Sequence, residues 1–203
     1  LSKFDLIISN QENFKYTIEI NSRINNLLQT ISSQRTFISH CSKKDFRNQL
    51  ITQVIHGDPK ISNFLFDKNS SFAVSVIDLD TVGIGFVQYD IADCLRSICN
   101  KAGEQPEDIS TVYFDLDLFF QMLKGYDFAS PHISLSEIKL IPQCLKLLTL
   151  ELALRFLIDF LEGNIYFKVS EPLQNLYKAE VQIALFRSID KSYYSLFDVL
   201  NSL

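Results

Sequence analysis

A chain of 203 residues is long enough for one domain with a sizeable core, and 47% hydrophobic against 21% charged residues is the balance of a globular protein, slightly on the oily side. A net charge of −5 with no basic stripe argues against nucleic acid as a partner. The four cysteines (Cys41, Cys94, Cys99 and Cys144) show no C-x-x-C spacing and the only histidines are His40, His56 and His132, so free thiols in a reducing cytoplasm are expected, without a disulfide framework or a zinc site.

Tyr16 to about Cys41 reads as an amphipathic helix, with Ile18, Ile20, Ile24, Leu27, Leu28 and Ile31 largely at helical spacing between Asn, Gln and Ser. Ser42 to Gln53 is a polar, charged connector. Val54-Ile55 form a short apolar edge, and Phe64–Phe66 and Phe72–Ile77 read as two short strands joined by the turn-forming run Asp67–Ser71. From Asp90 onward the pattern is helical. Ile91–Cys99 is one short helix, and Asp115–Tyr126 a second, with Leu116, Phe119, Phe120 and Leu123 on one side. Ser136 with Glu137 starts a third, expected to run to about Leu161 and to stop at Gly163-Asn164. It is apolar nearly all round, which places it inside a helical bundle. The stretch Ile138–Leu161 is nonetheless interrupted by Lys139, Lys146, Glu151, Arg155 and Asp159, so no membrane span is expected. After a loop at Tyr166-Phe167, Leu173 to about Leu200 reads as one or two further helices. The expected fold is mainly α with a small β-hairpin, as a single domain over 1–203.

The chemistry gathers around the hairpin. Asp58 lies on the tight loop His56-Gly57-Asp58-Pro59, Asn63 follows it by five residues, and Asp78 closes the second strand. Phosphoryl transfer needs this set. One carboxylate orients the attacking hydroxyl (Asp58), and an amide oxygen and a second carboxylate hold magnesium (Asn63 and Asp78). Lys60 offers positive charge toward the transferred phosphate. His56 is expected to be structural, bonded to the loop backbone. Asp90 and Asp93, near a helix start, are expected to cap it or to brace the loop. Glu151, Arg155 and Asp159 stand four residues apart on the apolar helix and form one charged stripe. For Arg155 a site role is expected; for Glu151 and Asp159, a structural one.

His56-Gly57-Asp58 through Asn63, followed by Ile77-Asp78-Leu79-Asp80, resembles the aminoglycoside phosphotransferase and choline kinase group, which has a protein-kinase-like fold. Further segments are similar to the N-acetylhexosamine 1-kinases: Asp78 to Val82, Tyr89-Asp90 with Asp93 and Arg96, and Arg155 to Lys168. Those kinases usually carry Asn-Asp-Thr-Lys where this chain has Gly57-Asp58-Pro59-Lys60, the form of the broader group. The resemblance implies ATP as donor, Asp58 as catalytic base, Asn63 and Asp78 as magnesium ligands, and Arg155 and Tyr166 as the pair that grips a sugar. The acceptor it implies is a small molecule, with the anomeric hydroxyl of an N-acetylhexosamine first, a choline, aminoglycoside or other small alcohol second, and a non-catalytic scaffold as the reading outside enzymes. Kinases of this fold place an ATP-gripping β lobe before the catalytic loop. Only about fifty residues precede His56 here, and they read as helix without any G-x-G-x-x-G. The chain is therefore expected to be the C-terminal lobe, inactive alone, with the N-terminal ATP-binding lobe as its missing partner.

Overall fold

The computed structural model describes residues 5, 6, 9, 16–70, 72–129 and 138–202. Eight helices of at least four residues and four strands follow one another among them. α1 (Ile18–Ser33) starts at Thr17, whose hydroxyl accepts from the Ile20 amide, and buries the stripe Ile24, Leu27, Leu28 and Ile31. The single helix expected to Cys41 is broken at Gln34. Thr30 and Ser33 turn their hydroxyls back onto the carbonyls of Asn26 and Thr30, which competes with the helix ladder, and α2 (Arg35–Ser42) restarts beyond. The expected connector contains a short helix, α3 (Lys44–Arg47), because Phe46 is buried in the core.

The β structure is larger than one hairpin. β2 (Phe64–Phe66) and β3 (Ala73–Val76) pair antiparallel as expected, and the Asp67 carboxylate closes their turn by accepting from the Asn69 and Ser70 amides. A second antiparallel pair, β1 (Thr52–Ile55) with β4 (Gly83–Phe86), lies outside it in sequence and clasps the ends of the segment that bears the site. Gly85 leaves room there for Ile55: a Cβ on it would sit 2.3 Å from Ile55 Cδ1, and that side chain would have to shift.

β4 runs directly into α4 (Val87–Ile98), followed by α5 (Leu116–Ala129), α6 (Ile141–Leu161), α7 (Gln174–Lys191) and α8 (Tyr193–Leu200). The expected start of the long helix at Ser136-Glu137 lies outside the described residues. Its expected stop is present, with Gly163 at φ +94° and Asn164 at φ +60°. α6 packs against both α4 and α7. One core cluster, with Leu95, Phe119, Leu145 and Leu196, joins α4, α5, α6 and α8; the other, with Ile24, Leu28, Leu157 and Ile183, joins α1, α6 and α7. The fold is mainly α with small antiparallel β pairs. All four cysteines are free thiols, and burial pushes Cys41 up to about 11 and Cys94 to about 12. Among the described residues no helix is long and apolar enough to cross a membrane.

Candidate active site

The loop after β1 owes its shape to groups outside it. Asp90, in the first turn of α4, does not cap its own helix. Its two oxygens accept from consecutive loop amides, His56 at 3.0 Å and Gly57 at 2.8 Å. His56 Nδ1 accepts from the Asp58 amide at 3.3 Å, which leaves the ring proton on Nε2 to donate to the Ile77 carbonyl at 3.0 Å. This is the structural role expected for His56, and it ties the loop to the end of β3. Thr81 Oγ1 closes the ring of contacts by donating to the His56 carbonyl. Gly57 is held at φ +84°, and a Cβ on it would lie 2.6 Å from the Thr81 carbonyl oxygen, so only glycine passes here without strain.

Within this frame four of the sequence-selected residues come together. Lys60 Nζ donates to Asp58 Oδ2 at 2.5 Å and stands 3.9 Å from Asp78 Oδ2. Asn63, 4% exposed, donates through Nδ2 to the Asp58 carbonyl at 2.8 Å and approaches Asp58 Oδ2 and Asp78 Oδ2 at 3.3 and 3.4 Å. Hydrogen bonding to Asp58, aided by the Asp78 charge, raises the Lys60 pKa against the opposing effect of burial. Asp78 has left-handed backbone angles (φ 62°, ψ 56°), a conformation that costs a non-glycine residue about 1 kcal/mol or more and that collects at functional sites. Two carboxylates thus converge on a cation, here the ammonium of Lys60, and the Asn63 NH₂ donates into the same cluster. Here Asn63 presents Nδ2 to Asp78 Oδ2; with its amide turned so that Oδ1 faces the cluster, Asn63 and Asp78 would offer the oxygen donors that suit magnesium. Among the described residues no three His, Cys, Asp or Glu side chains gather as a metal site.

The second wall comes from α6 and the loop beyond it. Arg155 lies over the rings of Tyr166 and Phe167, its Cζ 5.6 and 5.5 Å from their centroids. Phe167 in turn meets Phe156 at 4.6 Å, and Lys178 of α7 lies 5.4 Å from the Phe156 ring. Among the described residues the charged stripe of α6 makes no ladder of ion pairs. Asp159 turns inward, 3% exposed, and accepts from the amides of Tyr166 (2.7 Å) and Phe167 (3.0 Å) and from Asn175 Nδ2 (2.8 Å). Asp159 is structural, as expected. Glu151, expected to be structural too, instead faces the cleft.

Asp58, Lys60, Arg155 and Tyr166 line one cavity of about 510 Å³, ample for a monosaccharide-sized molecule. Tyr89, named in the resemblance without a role, also lines it, with burial pushing its hydroxyl up to about 12, and sequence reasoning passed over two further lining residues, Glu104 and Lys178. Nothing in the local sequence marks them, since helix packing brings them in. Arg96 is buried by ion pairs to Asp93 and Glu104 and forms part of the cavity floor.

Residues 27–118 match the family model described as APH, phosphotransferase enzyme family. The matched stretch runs from α1 through the loop, both β pairs and α4 into α5, so it holds Asp58, Lys60, Asn63 and Asp78 but stops before Arg155 and Tyr166. The match covers somewhat less than half of the chain, and the loop with its acidic and amide side chains is of the kind that phosphoryl transfer uses.

Proposed function

We propose that this chain carries the metal-binding and acceptor-binding half of a kinase that moves the γ-phosphate of ATP to a sugar hydroxyl, foremost the anomeric hydroxyl of an N-acetylhexosamine or a related sugar. The observation that carries this reading is that Asp58 and Lys60 line one cavity together with Arg155 and Tyr166, while Asn63, outside that lining, contacts both Asp58 and Asp78. Asp58, with its side chain 31% exposed, is open to an acceptor hydroxyl and takes or orients its proton at Oδ. Lys60 adds positive charge toward the phosphate in transfer. Magnesium, when held by Asn63 and Asp78, supplies charge neutralisation at the phosphate oxygens. Arg155 and Tyr166 orient the sugar so that its hydroxyl meets Asp58.

The outer faces of the β pairs support a further part of the proposal. Val54, Phe72, Val74, Leu79 and Ile84 are all more than half exposed, an apolar surface of the kind that marks an interaction site. In this reading an ATP-gripping lobe seats there, and the 203 residues alone give no turnover. The test is ADP release, from a protein that includes such a lobe, with Mg-ATP and N-acetylglucosamine or N-acetylgalactosamine. Asp58→Asn lowers kcat by roughly 10²–10⁴-fold if Asp58 is the base. An Asp58→Asn enzyme at full rate overturns the assignment.

A further inference from the structure

The cavity has four cations, and they divide into two kinds. Lys60 is paired with Asp58 and Asp78, and Arg96 with Asp93 and Glu104. Arg155 and Lys178 make no ion pair and no hydrogen bond among the described residues; their contacts are the faces of Tyr166, Phe167 and Phe156. Of the four carboxylates on α6 and α7, three are committed elsewhere. Asp159 takes three protein donors, Glu180 pairs with Arg23, and Asp190 with Lys146. Glu151, one turn before Arg155, is the one carboxylate of that wall facing the cavity. Two cations against one anion leave the far wall locally positive, while the loop side of the lining holds Asp58, Asp90, Asp93 and Glu104 against Lys60 and Arg96. Contact with aromatic rings holds both cations in place without neutralising them, and the Arg155 N–H groups make no hydrogen bond among the described residues that would compete with a bidentate anion.

From this we infer that Arg155 and Lys178 form an anion subsite, and that the acceptor is a sugar carrying a carboxylate or phosphate group, held there while its hydroxyl lies at Asp58. The inference rests on the phosphotransfer reading for the second half of that statement only, and binding tests the first half by itself. The same positive wall disfavours cationic acceptors such as choline and the aminoglycosides.

The test is equilibrium binding to the full chain by calorimetry at low salt. Its probes are N-acetylglucosamine, N-acetylglucosamine 6-phosphate, glucuronate and glucosamine. The two anionic sugars are expected to bind at least tenfold tighter than N-acetylglucosamine, and the stronger of them tells phosphate from carboxylate. Lys178→Gln removes most of that preference, Lys178→Arg retains it, and Lys178→Glu shifts preference toward glucosamine. Unchanged circular dichroism and melting temperature identify the variants as folded. Equal affinity for neutral and anionic sugars overturns the inference, as does a preference that survives both Lys178→Gln and Arg155→Gln. Turnover of the anionic sugars with an unchanged KM in Lys178→Gln overturns the subsite and leaves the kinase reading standing. Anion preference in a lobe-complete protein that turns over no sugar does the reverse.

Discussion

Replacing Asp159 with alanine tests how the acceptor wall is held in place. The carboxylate accepts from two consecutive backbone amides, Tyr166 and Phe167, and from Asn175. Asn175 keeps a second acceptor in Asn164 Oδ1, so the loss falls mainly on the two amides. A hydrogen bond to a charged acceptor contributes about 1.5–3 kcal/mol, and the exposed loop lets water recover part of it, which sets the expected cost at about 3 kcal/mol. With a urea m-value of roughly 2 kcal/mol/M, the unfolding midpoint falls by about 1.5 M. Asp159→Asn keeps one good acceptor but turns an NH₂ toward a donor, and it is expected to lie about midway. Circular dichroism in urea reads the midpoint, and hydrogen exchange at the Tyr166 and Phe167 amides reads the local event, which should quicken more than exchange in the core of α6. A midpoint shift below about 0.3 M, with those two amides still protected, would refute the clamp.

Two further outcomes follow from the fold. Gly57→Ala meets both a φ of +84° and the Thr81 carbonyl oxygen at 2.6 Å, and is expected to cost about 3 kcal/mol, roughly 6–12 °C in melting temperature for a chain of this size; a wild-type melting temperature would show that the loop relaxes freely. Burial holds Cys41 at about 11 and Cys94 at about 12, so at pH 8 the thiolate fraction of Cys41 is only about 0.1%; a disulfide reagent should react slowly with the native protein and at once with all four thiols in guanidinium, and one fast native thiol contradicts this. Because these folded values lie above the unfolded one, the stabilisation is complete below about pH 9 and is lost as pH rises through 11–12, seen as a melting temperature that declines in that window.

The inner hairpin, the helical second half and the stop at Gly163-Asn164 were legible because each depends on local chemistry: alternation, helical period and residues that tolerate positive φ. What escaped depended on partners distant in sequence. Gly83-Ile84-Gly85-Phe86 has little strand signal by itself and becomes a strand because Thr52–Ile55 pairs with it and Ile55 needs the room left by Gly85. Phe46 is one aromatic in a charged run, and only the core it enters makes its neighbours helical. Asp58, Lys60, Asn63 and Asp78 fall within twenty-one residues, so spacing alone brought them to notice. Lys178 lies on α7, an otherwise ordinary helix, and its place in the cavity follows from how α7 packs on α6.

The two walls are held by one device used twice. Asp90 takes the amides of His56 and Gly57, and Asp159 takes those of Tyr166 and Phe167; in each case a helix carboxylate grips two successive amides of a loop, one per oxygen. Neither loop then sets its own position. The loop bearing Asp58 is referred to α4, the loop bearing Tyr166 is referred to α6, and those helices are packed against each other. The separation between the group that would act on a hydroxyl and the groups that would hold its molecule is therefore a property of helix packing in the core, where a shift of even one methylene is felt. Loop side chains between the clamps are free to change what is bound without changing where it lies, whereas loss of either carboxylate moves a whole wall. On the proposed reading, the position of Asp58 is then set by the α4 clamp, and selectivity for the acceptor is carried separately by what α6 and α7 present opposite it.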